Sequence, residues 1–101
     1  MDDKLRILGI ARKAGMLAIG AQAVSTAARS GKAKSILTAA DASERSVRNA
    51  QGYSADCGAL HIAVPYTKEE LGAALGWGPV GMLAILDSGF AEGFNRRRTA
   101  Q

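Results

Sequence analysis

The chain has 101 residues, 48% of them apolar, which suffices for one domain around a single core and not for two. Aromatic residues make up only 5%, so Ala and Gly do much of the packing, and no stretch approaches the roughly 18–20 uninterrupted apolar residues that cross a bilayer. The net charge of +4 leans toward nucleic acid as a partner, while a single Cys57 and a single His61 exclude a disulfide and a cysteine- or histidine-rich metal site.

Residues 3–14 suit a helix, with Ile7, Ile10, Ala11 and Ala14 at helical spacing and Arg6 and Lys13 sharing one flank; Gly15 stops it. A short extended piece, 16–19, leads to Gly20. Residues 21–30 form a second helix with Ala23, Val24, Ala27 and Ala28 inward, closed by Ser30-Gly31. Residues 35–40 read as an apolar strand. Asp41, with Glu44 three residues on, is placed to cap a third helix that carries Val47, Ala50 and Cys57 inward and Arg45 and Arg48 outward.

Residues 60–64 make a second apolar strand ending at Pro65. Thr67 to Glu70 is a capping box for a helix that buries Leu71, Ala74 and Leu75 before Gly76. Residues 80–86 are the most apolar segment and are expected at the sheet centre. Asp87-Ser88-Gly89 starts a final helix with Phe90 and Phe94 four apart. Strands alternating with helices at this spacing imply an α/β class, a three-layer α/β/α sandwich over a short mixed sheet of about four strands, as a single domain over residues 1–101.

Charge is unevenly spread. Residues 1–34 hold seven bases and two acids, a net +5; the rest hold six bases and seven acids, three of those bases being the run Arg96-Arg97-Arg98. A polyanion is drawn to such a surface, with strong salt dependence. The acidic start Met1-Asp2-Asp3, where a secretory signal is basic, gives the expectation of a cytoplasmic protein without membrane contact, and a monomer is expected.

Little supports catalysis. Cys57 reads as a small buried hydrophobe, His61 as structural, and Asp87 as a helix cap. Neither phosphate-binding glycine pattern, GxxxxGK[ST] or GxGxxG, is present, so no cofactor and no enzyme activity are expected. The start of the second helix is the exception. Gly20-Ala21-Gln22 offers backbone N–H groups at a positive dipole end, a seat for phosphate, and Gln22 adds hydrogen bonds for a base edge. Arg12, Lys13 and Lys32 are expected to reach this region if the first helix and the Gly31 turn pack beside it.

Five segments occur in fixed order: Arg12 to Gly20 (RKAGMLAIG), Arg29 to Lys34 (RSGKAK), Ala39 to Ser43 (AADAS), Thr67 to Gly72 (TKEELG) and Asp87 to Ala91 (DSGFA). Together they resemble the large-subunit ribosomal protein seven-Ae / thirty-e family, especially its bacterial YlxQ-like members, over roughly residues 4–95. The resemblance implies a three-layer α/β/α fold and binding of kink-turn or similarly bent RNA, ribosomal RNA among the options.

The family's Gly-x-Asn-Glu-x-x-Lys signature falls on residues 20–26. Gly20 matches and Gln22 is a polar substitute for Asn, while Ala23 and Thr26 depart from the Glu and Lys. The Glu is an acceptor for guanine N–H donors and the Lys a cation for phosphate, so the standard kink-turn contact is not expected at these two positions. The family's second RNA-facing loop corresponds to 76–81. There Trp77 offers a stacking face, Gly78, Pro79 and Val80 an apolar strip, and the glycines imply an adaptable one. The leading expectation is a non-catalytic RNA-binding protein. The alternative is a protein-interaction module that keeps the fold and has lost specific kink-turn recognition.

Overall fold

A computed structural model describes residues 2–96. Five helices and four strands alternate: α1 (Asp3–Lys13), β1 (Leu17–Ile19), α2 (Ala21–Arg29), β2 (Ser35–Thr38), α3 (Glu44–Cys57), β3 (Leu60–Ala63), α4 (Lys68–Leu75), β4 (Met82–Ile85) and α5 (Ser88–Arg96). The sheet order is β1-β4-β2-β3, with β2 parallel to β3 and β4 antiparallel to both of its neighbours. The expected three-layer sandwich with a mixed four-stranded sheet is present.

Every residue of β2 and β4 is buried. These strands read as unbroken apolar runs because they are covered on both faces. On one face Val24 and Ala27 of α2 and Ala50 of α3 pack on Ile36, Met82 and Ala84. Small side chains predominate in this layer, which explains how so few rings fill the core. On the other face Leu8 of α1, Leu71 and Leu75 of α4 and Phe94 of α5 pack on Leu37, Leu83 and Ile85. Burying a side chain such as Phe94, which is 0% exposed, stabilises by about 1.5–3 kcal/mol.

Strand directions decide what meets at each end of the sheet. The C-terminal ends of β1, β2 and β3 lie with the N-terminal end of β4: the Gly20 N–H donates to the Met82 carbonyl at 2.9 Å and the Ala39 N–H to the Gly81 carbonyl at 3.0 Å. Helices α2, α3 and α4 therefore all begin at this end. At the other end the Lys34 N–H donates to the Ile85 carbonyl and the Leu86 N–H to the Met16 carbonyl, both at 2.8 Å.

Four sequence expectations are corrected. The inward face of α1 is Leu8 and Ala11, with Leu5 and Ile7 partly buried, whereas Ile10 is 49% exposed and Ala14 is exposed. Ala23 is likewise exposed, because Val24, Ala27 and Ala28 already form the contact stripe of α2. Asp41 does not cap α3; the Ser43 hydroxyl does, accepting from the Ser46 N–H. The Asp41 carboxylate instead accepts the Lys68 N–H at 2.8 Å and so serves the start of α4. The strands are also shorter than the apolar runs: Val80 and Gly81 precede β4, and Ala39 and Ala40 follow β2.

Candidate nucleic-acid interface

Gly20 sits at φ +96°, ψ 157°, a region that side chains disfavour, and turns the chain from β1 into α2. The start of α2 has neither a side-chain cap nor an acid in its first turn. The other described helices are capped: Asp2 accepts from Leu5, Ser43 from Ser46, Thr67 from Glu70 and Asp87 from Phe90. At α2 the positive dipole end has no side chain to offset it, a setting in which negative charge is favoured. Ala21, Gln22, Ala23 and Thr26 are all exposed there. The Thr26 hydroxyl donates to the Gln22 carbonyl at 3.1 Å and so bonds back to its own helix.

The segment after α4 reaches the same end of the sheet. Gly76, at φ +64°, terminates α4; the Trp77 N–H then bonds the Gly72 carbonyl at 2.9 Å and the Val80 N–H bonds the Lys68 carbonyl at 3.0 Å. The chain thus runs back along α4 and enters β4 beside Gly20. Gly72 permits this, since a Cβ there would lie 2.3 Å from the Gly78 carbonyl oxygen. Gly78 and Pro79 are exposed, and Trp77 is 54% exposed rather than closing the core. Val80 differs from the expectation: it is 2% exposed and packed in the core, so its side chain faces inward and leaves the outer strip to Trp77, Gly78 and Pro79.

Of the cations expected at this region, Arg12 joins the loop. Its guanidinium carbon lies 5.2 Å from the centre of the Trp77 ring, at a cleft of about 330 Å³ between α1 and α4 that Leu5, Gly9, Ile10, Lys13 and Leu75 also line. Lys32 does not approach Gly20. The Lys32 N–H bonds the Ala27 carbonyl at the far end of α2, whereas Lys13, next to Arg12 at the end of α1, lines the same cleft. Arg97 and Arg98 of the basic run lie outside the described residues.

The catalytic candidates have structural surroundings. The Thr38 hydroxyl and His61 Nε2 are 3.0 Å apart across β2 and β3, and burial pushes the His61 pKa below its ordinary value of 6.5. Cys57 is half-buried at the end of α3. No group of three or more metal-ligating side chains occurs among the described residues. The Arg12–Trp77 pairing joins residues remote in sequence and left no local signal. The role of Gly72 did leave one, a glycine inside an otherwise regular helical pattern.

The family model described as the Ribosomal protein L7Ae/L30e/S12e/Gadd45 family matches residues 4–95. The chain belongs to this family. Among solved structures, a Bacillus halodurans protein of unknown function is 21% identical with a TM-score of 0.87, over 94% of this chain and 95% of that one. A Giardia lamblia 15.5 kDa RNA-binding protein is 20% identical with a TM-score of 0.69, over 92% of this chain and 82% of that one. Both likenesses are of fold. Comparison with curated proteins found no match. The L7Ae-family assignment agrees with the resemblance drawn from the five short segments, and no described helix is long and apolar enough to cross a membrane.

Proposed function

We propose that this L7Ae-family chain is a non-catalytic RNA-binding protein that recognises kink-turn or similarly bent structured RNA, ribosomal RNA included, as a cytoplasmic monomer. The observation that carries the reading is the uncapped start of α2 at Gly20, whose N–H bonds the Met82 carbonyl at the start of β4, the strand into which the exposed strip of Trp77, Gly78 and Pro79 leads. A phosphate docks on the first-turn N–H groups of Ala21, Gln22 and Ala23, where the helix dipole favours negative charge. The Gln22 amide has donors and an acceptor for a base edge. Trp77, carried on Arg12, offers a ring on which an unpaired base stacks, a contact worth about 1–3 kcal/mol. Ala23 and Thr26 supply neither the acceptor nor the cation of the family signature, so affinity rests on phosphate docking and stacking more than on readout of G·A pairs.

The test is a titration of an RNA with an asymmetric internal loop, against a straight duplex of the same composition, at several salt concentrations. The bent RNA is expected to bind tighter, with log K falling linearly as log salt rises. Equal affinity for both RNAs, or binding indifferent to salt, contradicts the proposal.

A further inference from the structure

The end of the sheet opposite Gly20 carries its own cluster of positive charge. Arg29 ends α2, and Lys32 and Lys34 follow the Gly31 turn. Lys34 flanks the C-terminal end of β4, bonded to Ile85, which places this basic segment at that end of the sheet. All three cations are exposed. Among the described residues the single ion pair is Arg6–Asp3, at 3.9 Å, so no carboxylate holds any of the three. The acids that the topology brings to this end are Asp56, near the end of α3, and Asp87, whose carboxylate is engaged by the Phe90 N–H at 3.0 Å. Arg29, Lys32 and Lys34 thus outnumber the acids at this end.

A cation in the last turn of a helix complements the dipole, which accounts for Arg29. Lys32 and Lys34 stand beyond Gly31, outside any helix, and that account does not cover them. The separation also matters. The nine residues of α2 put Arg29, Lys32 and Lys34 about 13 Å from the Gly20 end, too far to serve a phosphate docked there.

We propose that Arg29, Lys32 and Lys34 form a second RNA contact, which holds the phosphodiester backbone of a stem flanking the element bound at Gly20. The contact reads charge and not sequence, since these side chains grip phosphate as mobile point charges or forks. It rests on the RNA-binding reading for the identity of the polyanion. One protein then touches an RNA at two places along its length and fixes the angle between them.

The experiment uses the full chain and the variant Arg29→Gln/Lys32→Gln/Lys34→Gln, whose fold is checked by circular dichroism. Two probes are titrated: an internal-loop RNA trimmed to short stems, and the same loop with one stem lengthened by a full helical turn. The parent is expected to bind the long-stemmed RNA more tightly, and the triple variant to lose that gain while keeping its affinity for the trimmed one. Each phosphate contact adds about 0.7–0.9 to the salt slope, so loss of two makes the variant's affinity fall roughly tenfold less than the parent's between about 50 and 200 mM salt. Unchanged slope and affinity of the variant on the long-stemmed RNA overturn the inference. If neither protein distinguishes the loop from a straight duplex, yet the triple variant weakens duplex binding, the bent-RNA reading fails and the second contact stands.

Discussion

The guanidinium of Arg12 lies over the ring of Trp77, 5.2 Å from its centre, although 54% of Trp77 is exposed. At an exposed site such a pair contributes about 0.5–1 kcal/mol to stability, little for so large a side chain. Its ring therefore contributes little to the fold, and on the proposed reading it is open to a base. Trp77→Ala is expected to leave the urea midpoint nearly unchanged and to weaken bent-RNA binding about tenfold, the cost of one lost stacking contact. Because Trp77 is the only tryptophan, its fluorescence reports the event directly, and RNA binding that leaves the emission unaltered argues against stacking there.

The start of α2 yields a prediction of opposite sign. Ala23→Glu/Thr26→Lys restores the two family residues on an exposed helix face, where neither has a core role. Kink-turn affinity is expected to rise by tenfold or more, since a well-placed polar pair of this kind is worth about 1–3 kcal/mol in the comparable DNA case. An affinity identical to the parent's, measured by gel shift, removes the first turn of α2 from the RNA interface. A rise from no detectable binding favours the interaction-module reading instead.

Gly72→Ala tests the packing beneath the loop. The added Cβ meets the Gly78 carbonyl oxygen at 2.3 Å, so either the loop or α4 is displaced. Overpacking of this sort costs about 1–3 kcal/mol, to be read from urea unfolding. A change under about 0.5 kcal/mol, the range of an ordinary surface substitution, means that the loop does not lie against the helix.

His61 ties stability to pH. Its pKa is lowered by burial, so the unfolded histidine takes a proton at about its ordinary 6.5 while the folded one still resists it. Within that window the unfolded chain binds more protons, and stability rises with pH. The contribution is complete above pH 6.5 and is lost as pH falls through the folded value. His61→Gln, which keeps a polar partner for the Thr38 hydroxyl, is expected to flatten the pH dependence of the unfolding midpoint below the ordinary histidine value of 6.5. A dependence as steep as the parent's assigns the effect to other groups.

Much of this architecture is legible in the sequence because its signals are local. The Thr67–Glu70 capping box, the Asp87 cap and the apolar runs of β2 and β4 each announce themselves within a few residues. Asp41 shows where locality ends. Its spacing to Glu44 fits a capping box, yet Ser43 offers an oxygen one residue before α3, and the Asp41 carboxylate crosses to Lys68, 27 residues away. The site divides along the same line. Gly20 and Gln22 could be found from a glycine before a helix, whereas the removal of Lys32 to the far end follows from strand direction, which no single segment encodes. Val80 reads as part of an exposed strip because its neighbours are glycines and proline, but it is the apolar residue that anchors the strip to the core.

The glycines of that strip suggest a pliable segment, and the hydrogen bonds from Trp77 to Gly72 and from Val80 to Lys68 make it the reverse. Pinned at both ends and pressed against a helix residue that has no side chain, the strip already holds its shape before any partner arrives. Binding then carries little entropic cost of ordering here. On the proposed reading, a rigid template of this kind would select among RNA shapes rather than adapt to them: an RNA whose bend does not match would have to deform itself, and the discrimination would appear as that deformation energy even where no base is touched.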